Sequence, residues 1–442
     1  MKKKLGMLGI GIVLLLGFGM IDGFENFNIN ETGLSLLAVL SAGLLAPLMA
    51  AAVKPWVRVP VPVAEMFLGI IIGPGVLALV QPSAMIEYLR VAGVILLFFV
   101  GGYDTDFGML GKKSLAKATT SWLVCLLVSI PVGLGVALLF PTLSTGVTAV
   151  VAGVYIGASM IATGLTTVYP MMSDAGEMTT KIGKAISAAG VIGQFAPIVA
   201  VAILVGGDSM GGQVLNHLVF FAIVGLLLQA SRKGLPKLLA KQQTLTLELV
   251  GQMGIREQAI VLVVIVGLGM ALGVDRLIGA FAAGMIVRNL FVHVESAERK
   301  VIESKVKGIA FGVFVPIFFV MAGVNFDLLG MLAQPFTLIL IPMFNVLKFV
   351  VRGIPGSFTL PKGSTPQEHT AVGFLISCSI AGVLAVLGIA TEAGAMSSVM
   401  AAGLTGSAML SVLVFPTIGL TVARKAREPK SVAKLKAAPL VG

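Results

Sequence analysis

Long apolar runs alternate with short polar gaps along the whole chain, in the rhythm of membrane-spanning helices joined by loops. Fourteen runs come close to the ~20 residues that a helix needs to cross the hydrocarbon: 5–22, 33–53, 62–80, 90–106, 118–140, 147–170, 183–206, 213–230, 257–273, 276–292, 308–325, 334–352, 370–390 and 395–422. Lys and Arg fall almost entirely into every second gap. If Met1 to Lys4 lie in the cytoplasm, the inside gaps hold Lys54, Arg58, Lys112, Lys113, Lys117, Lys181, Lys184, the basic residues of 232–256 and 288–307, Arg352, Lys362 and the tail from Arg424. Only Arg90 and Arg276 lie outside, and Lys348 sits within a span. Cations resist translocation, so this partition predicts a multi-pass protein of the cell membrane with both termini cytoplasmic. The first run also resembles a signal peptide. No A-x-A-like site follows it before the polar stretch Asp22 to Glu31, and an uncleaved helix is expected.

Composition narrows the class. A mean hydropathy of +1.02 with 12% charged residues is incompatible with a soluble domain, which carries about 25%. The net charge of +11 therefore reads as loops facing anionic lipid, with the bilayer as partner and no nucleic-acid footprint. Cys125 and Cys378 both lie in apolar spans, and His217, His293 and His369 lie at span ends without ligand spacing. No metal site and no cofactor are expected. No nucleophile with a base and no nucleotide-binding glycine motif appears, so the chain does not read as an enzyme.

The expected organisation is an N-terminal helix and external loop (1–32), a first transmembrane half (33–230), a cytoplasmic linker (231–256), a second half (257–423) and a basic tail (424–442). The halves share a motif. Phe98-Phe-Val-Gly-Gly-Tyr-Asp-Thr-Asp106, with Gly108-Met-Leu110 after it, recurs as Phe318-Phe-Val-Met-Ala-Gly-Val-Asn-Phe-Asp327, with Gly330-Met-Leu332. The charge partition puts Asp106 inside and Asp327 outside, so the copies run in opposite directions. That is an inverted repeat, the architecture of many secondary transporters, whose sites form where corresponding helices break near the midplane. Two spans have the texture for such a break: Gly153 to Thr167, and Ser377 to Gly388, both dense in Gly and hydroxyl residues. The same texture also suits close helix packing without a break.

Glu65-Met-Phe-Leu-Gly-Ile-Ile-Ile-Gly-Pro74, Ile278-Gly-Ala-Phe-Ala-Ala-Gly284 and Pro316 to Asp327 resemble signatures of monovalent cation:proton antiporters, in the branch of potassium efflux antiporters and Na+/H+ exchangers. The resemblance extends over roughly residues 60–422. Thr179 to Ile192 resembles the start of that family's ion-binding helix, and Lys348 with Arg352 matches a basic pair on its tenth core helix. The resemblance implies an all-α, inverted-repeat antiporter-like fold with thirteen core transmembrane helices, here plus one N-terminal helix. It also implies a dimerisation domain, a core domain moving against it, and a homodimer.

Where relatives carry Asp-Asp, Asn-Asp or Gln-Asp, this chain has Gly193-Gln194. Gln194 can coordinate a cation through its carbonyl oxygen but cannot titrate. All twenty acidic residues are expected in loops or at span ends, and Glu65, the deepest, is read as serving the start of its helix. Lys348 is left. By the resemblance it matches the lysine that pairs with the first acid of the motif, whose place Gly193 takes; on the residues alone it is a lysine snorkelling toward headgroups near Arg352. Asn345 shares its face and is placed to hydrogen-bond it or face the site with it. The expected site comprises Thr163, Gly164, Gly193, Gln194, Asn345, Lys348, Ser377 and Ser379. The leading expectation is exchange of a monovalent cation, Na+ or K+, for protons. The alternatives are an anion or small organic solute carried on the same fold, and a non-transporting membrane scaffold or sensor.

Overall fold

The computed structural model describes residues 31–54, 59–81, 83–105, 112–141, 147–164, 168, 171–172, 177–178, 180–205, 210–232, 252–291 and 296–427. The span expected over 5–22, Asp106 at the end of the first repeat copy, residues 233–251 of the linker and the tail beyond Arg427 lie outside these. Among the described residues all regular structure is helical. Among the described residues, nine helices are long and apolar enough to cross a membrane, or ten if the bent pair Pro366–Ile376 and Ala381–Glu392 counts as one span. Two shorter apolar helices, Val61–Ile72 and Ala149–Ile161, add to these.

Local chemistry explains where helices begin and stop. Ser83 caps the helix Ala84–Asp104 by accepting from the Ile86 N–H, and Asp275 caps Arg276–Leu290 by accepting from Leu277 at 2.8 Å. Thr365 and Glu368 form a reciprocal capping box at the start of Pro366–Ile376. The span expected over 62–80 is helical only over Val61–Ile72. Gly73 is extended, with ψ 176°, because the residue before Pro74 is pushed out of the helical region. The two copies of the sequence repeat both occupy helix C-terminal ends, those of Ala84–Asp104 and of Val315–Val324.

The chain forms two compact units, each drawing on both halves of the sequence. The first comprises residues 1–106, 198–338 and 384–402. Its helices meet backbone to backbone at glycines. A Cβ on Gly102 would fall 2.0 Å from the Phe281 carbonyl oxygen, and one on Gly284 would fall 2.0 Å from that of Phe99. Gly69 and Gly323 make the same kind of crossing between Val61–Ile72 and Val315–Val324. Small residues serve helix contacts in lipid because association there relies on close packing. Arg90 and Arg276, assigned to the outer side, both pair with carboxylates in this unit: Arg90 with Glu87, and Arg276 with Glu392 at 2.7 Å.

The second unit comprises residues 107–197, 339–383 and 403–442. Lys112–Leu139 packs against Ala149–Ile161 along a glycine seam, where a Cβ on Gly133 would meet the Gly153 carbonyl oxygen at 2.2 Å. Every residue of the expected site belongs to this unit.

Candidate functional site: two interrupted helices and two buried cations

Both glycine- and hydroxyl-rich spans are interrupted. Ala149–Ile161 ends at Ala162, which is extended (φ −63°, ψ 143°), and the chain stays non-helical through Gly164. Pro366–Ile376 stops at Ser377, and Ala381–Glu392 resumes at 44° to it. A break frees backbone donors and acceptors, which must find partners inside the protein at this depth. They find them on each other and on a third helix. The Gly164 N–H donates to the Cys378 carbonyl at 2.9 Å, joining the two breaks directly. The Thr163 N–H donates to the Gly193 carbonyl of Lys181–Val205 at 2.9 Å, and the Thr163 hydroxyl donates to the Ile376 carbonyl at 2.9 Å. Thr163, Gly164, Gly193, Ser377 and their neighbours Gln194 and Cys378 therefore lie at one crossing.

A second device meets this crossing. The helix Leu340–Lys348 passes into a π-helical turn, Phe349–Gly353, which re-aims the side chains that follow. Arg352 lies in that turn and is 1% exposed. Its Nε donates to the Thr163 hydroxyl at 2.9 Å and its Nη2 to the Ala189 carbonyl at 3.1 Å, while Nη1 lies 3.6 Å from the Cys125 sulfur. A Cβ on Gly193 would sit 2.6 Å from Arg352 Nη2 and 2.6 Å from Thr163 Oγ1. Beside Gly193 the structure places the Arg352 guanidinium. The side chain beside Gly193 is thus that of the arginine one turn on from Lys348. The signal available in the sequence was the residue type at 193, since a glycine among bulkier residues leaves room for a neighbouring group.

Lys348 is 1% exposed and does not snorkel. Its Nζ has no hydrogen-bond partner. Asn345 does not bond to it: Nδ2 donates to the Ile341 and Ser407 carbonyls at 3.0 and 3.2 Å, and Oδ1 has no partner. Neither Lys348 nor Arg352 forms an ion pair among the described residues. The hydroxyls divide by use. Ser377 donates to the Gly373 carbonyl at 2.8 Å and serves helix packing. Ser379 Oγ and Ser407 Oγ are buried without a partner, as are both Gln194 amide atoms. Buried polar groups are nearly always hydrogen-bonded, so this concentration of unpartnered ones is a mark of function. Gln194 Oε1, Asn345 Oδ1, Ser379 Oγ and Ser407 Oγ are neutral oxygens suited to a monovalent cation, and Lys348 Nζ is the titratable atom of the set. Ser407, Arg352 and Cys125 were not among the expected site residues. Ser407 and Cys125 carry no pattern that separates them from packing residues.

A polytopic helical membrane protein with two interrupted helices joined through their freed backbone groups belongs structurally with secondary transporters of the antiporter fold. The sequence profile of the family described as sodium/hydrogen exchanger, transmembrane, matches residues 40–425, and the chain belongs to that family. YjbQ of Bacillus subtilis (strain 168) is 26% identical over 411 residues, which are 90% of this chain and 64% of that protein. The chain thus spans less than two thirds of that relative's length. The Na(+)/H(+)-K(+) antiporter GerN of Bacillus cereus is 28% identical over 284 residues, covering 61% of this chain and 67% of GerN. The sodium proton antiporter MjNhaP1 from Methanocaldococcus jannaschii has the same fold, with a TM-score of 0.60 at 18% identity over 93% of this chain and all of that one.

Proposed function

We propose that the protein is a secondary transporter exchanging a monovalent cation, Na+ or K+, for protons, with Thr163, Gly164, Gly193, Gln194, Asn345, Lys348, Ser377 and Ser379 forming its site. The reading rests chiefly on the buried, unpartnered Lys348 amine in the same unit as neutral oxygens that also lack partners. When Lys348 is protonated, its charge disfavours a second cation at those oxygens. When it gives up the proton, a Na+ or K+ ion replaces that charge and takes up the unpartnered oxygens. The site then holds one exchangeable positive charge in either state, which is what exchange requires. Arg352 stays fixed on Thr163 and Ala189 and serves the geometry of the crossing. The names of the Bacillus relatives support the same activity.

We infer a finer picture from the charge partition and the resemblance: thirteen core helices plus one, a homodimer in the cell membrane, and both termini in the cytoplasm. A reporter fused after Gly442 tests the orientation and is expected to read cytoplasmic.

Purified protein in liposomes with an imposed pH gradient tests the activity. Na+ or K+ is expected to dissipate the gradient, and chloride added with an impermeant cation is not. A second reading, anion transport, is favoured by the two buried cations without an ion-pair partner. A chloride response without a cation response would replace the first reading with the second.

A further inference from the structure

Glu65 does not sit where a residue serving the start of its helix would. It lies beyond the first turn of Val61–Ile72, which has no acidic residue, and it is 4% exposed. Among the described residues two carboxylates are buried, Glu65 and Glu177. Glu177 accepts from the Thr180 hydroxyl at 3.3 Å, whereas Glu65 has no hydrogen bond or ion pair with a described residue. Among the described residues, the two helices its own helix packs against offer no compensating charge, and Lys54, which directly follows one of them, is exposed. Val61–Ile72 packs against Val315–Val324 and Glu31–Val53, and neither contains a Lys, Arg or His. The one titratable residue on the two is Glu31, the first residue of its helix.

Glu65 stands one turn before Gly69 and so shares its face. Gly69 is the point of backbone contact with Val320 and Gly323, so Glu65 lies on the side of its helix that faces Val315–Val324. That helix follows a π-helical turn, Ala310–Phe314, and contains Pro316. Proline has no N–H to give the preceding turn, and a π-turn shifts the bonding pattern, so carbonyl oxygens are freed on this neighbour. An ionised carboxylate without a partner is strongly disfavoured in such an environment. Two states avoid the penalty: a neutral carboxyl holding a proton, and a carboxylate holding a monovalent cation that carbonyl oxygens can also solvate.

We propose that Glu65 is an exchange carboxyl of this protein, a second proton and monovalent-cation site located in the first unit. The reaction is R–COOH + M+ giving R–COO−·M+ + H+, which leaves the local charge unchanged. The inference builds on the exchange reading above but places its chemistry on a different residue in a different unit.

Dicyclohexylcarbodiimide tests it directly, because this apolar reagent modifies protonated carboxyls in apolar surroundings. The full chain in liposomes is treated with the reagent, and the peptide containing Glu65 is followed by mass spectrometry. Glu65 is expected to be modified, and Na+ or K+ at ~10 times its Kd is expected to slow the modification about tenfold by holding the cation-bound form. The same peptide from Glu65→Gln remains unmodified. An unmodified Glu65 at acidic pH, or a rate indifferent to Na+, K+ and Li+, overturns the proposal, and the parent protein alone decides it if the variant does not fold. Cation-protected labelling in a protein without transport upholds the Glu65 site and removes the exchange reading. Transport with cation-indifferent labelling removes Glu65 alone.

Discussion

The Arg352 guanidinium donates to the Thr163 hydroxyl at 2.9 Å, tying a π-helical turn to the first interrupted helix. Thr163 passes the tie on, since its hydroxyl donates to the Ile376 carbonyl where the second helix breaks. One threonine thus connects three segments that are far apart in sequence. Gly193 makes this possible by leaving the guanidinium its space.

Gly193→Ala should therefore be costly although it adds a single methyl group. The new Cβ would meet Arg352 Nη2 at 2.6 Å and the Thr163 Cβ at 2.8 Å, and the threonine cannot retreat without breaking its own bonds. A loss of ~1–3 kcal/mol is expected, as for overpacking elsewhere. Gly267→Ala is the control: nothing lies within 4 Å of its Cβ position, and a change within about 1 kcal/mol is expected. Thermal unfolding of both variants in detergent checks this. Equal melting temperatures would mean that Arg352 does not hold the crossing.

The membrane class was legible because it depends on local composition, and the two interrupted spans were named, although their texture taken alone suits unbroken packing as well. Charge alternation marks spans, and Gly-Ser-Thr density marks breaks, though the same density in Gly102 and Gly284 marks packing alone. The truncation of the 62–80 span could have been read from Gly73-Pro74. Gly193 signalled room for a neighbouring group, but that Arg352 and not Lys348 fills it was not legible. Both lie on the same stretch one turn apart, and which one reaches Gly193 depends on the π-turn at Phe349–Gly353, a register change with no sequence marker. The burial of Glu65 was missed for a related reason. Its nearness to Pro60 and Pro62 suggested a helix end, while the actual depth is set by packing against Val315–Val324.

Ser379→Ala and Ser407→Ala should separate function from stability. Each removes a buried hydroxyl that has no partner, so the folded protein loses no hydrogen bond and sheds a desolvated group. Their melting temperatures should hold or rise, while the cation concentration for half-maximal proton flux increases several-fold. Ser411→Ala offers the contrast. Its hydroxyl donates to the Ala408 carbonyl at 2.7 Å, and its loss should cost about 1 kcal/mol. Unchanged cation dependence in both the Ser379 and Ser407 variants would exclude these hydroxyls as ligands.

Gln194→Asp returns a titratable oxygen next to Gly193, where the side chain now has no hydrogen bond on either amide atom. Cation-dependent proton flux is expected to increase, because the carboxylate can take either a proton or the cation. The new charge costs some ~2.5–3.5 kcal/mol at this depth, so folding is verified first by size-exclusion profile and melting temperature. A folded variant whose flux equals the parent's would show that position 194 is not part of the ion path.

Lys348 carries the coupling prediction. An ammonium that is 1% exposed and has no acceptor is a liability of ~2.5–3.5 kcal/mol on insertion scales, and a protein keeps such a group when its charge changes during the working cycle. Lys348→Gln and Lys348→Ala should abolish pH-dependent transport, and their melting temperatures should not fall, because the unpaired charge is gone. Lys348→Arg keeps a cation but fixes it, since a guanidinium does not deprotonate in proteins; it should fold and fail to couple. The three variants together distinguish coupling from packing: a packing role predicts that Arg is the mildest change, whereas coupling predicts that Arg, Gln and Ala are equally inactive. Proton flux in liposomes across a pH series reads the difference. An alanine variant retaining the parent's full pH dependence would move the coupling group elsewhere, and Glu65 would be the first residue to test.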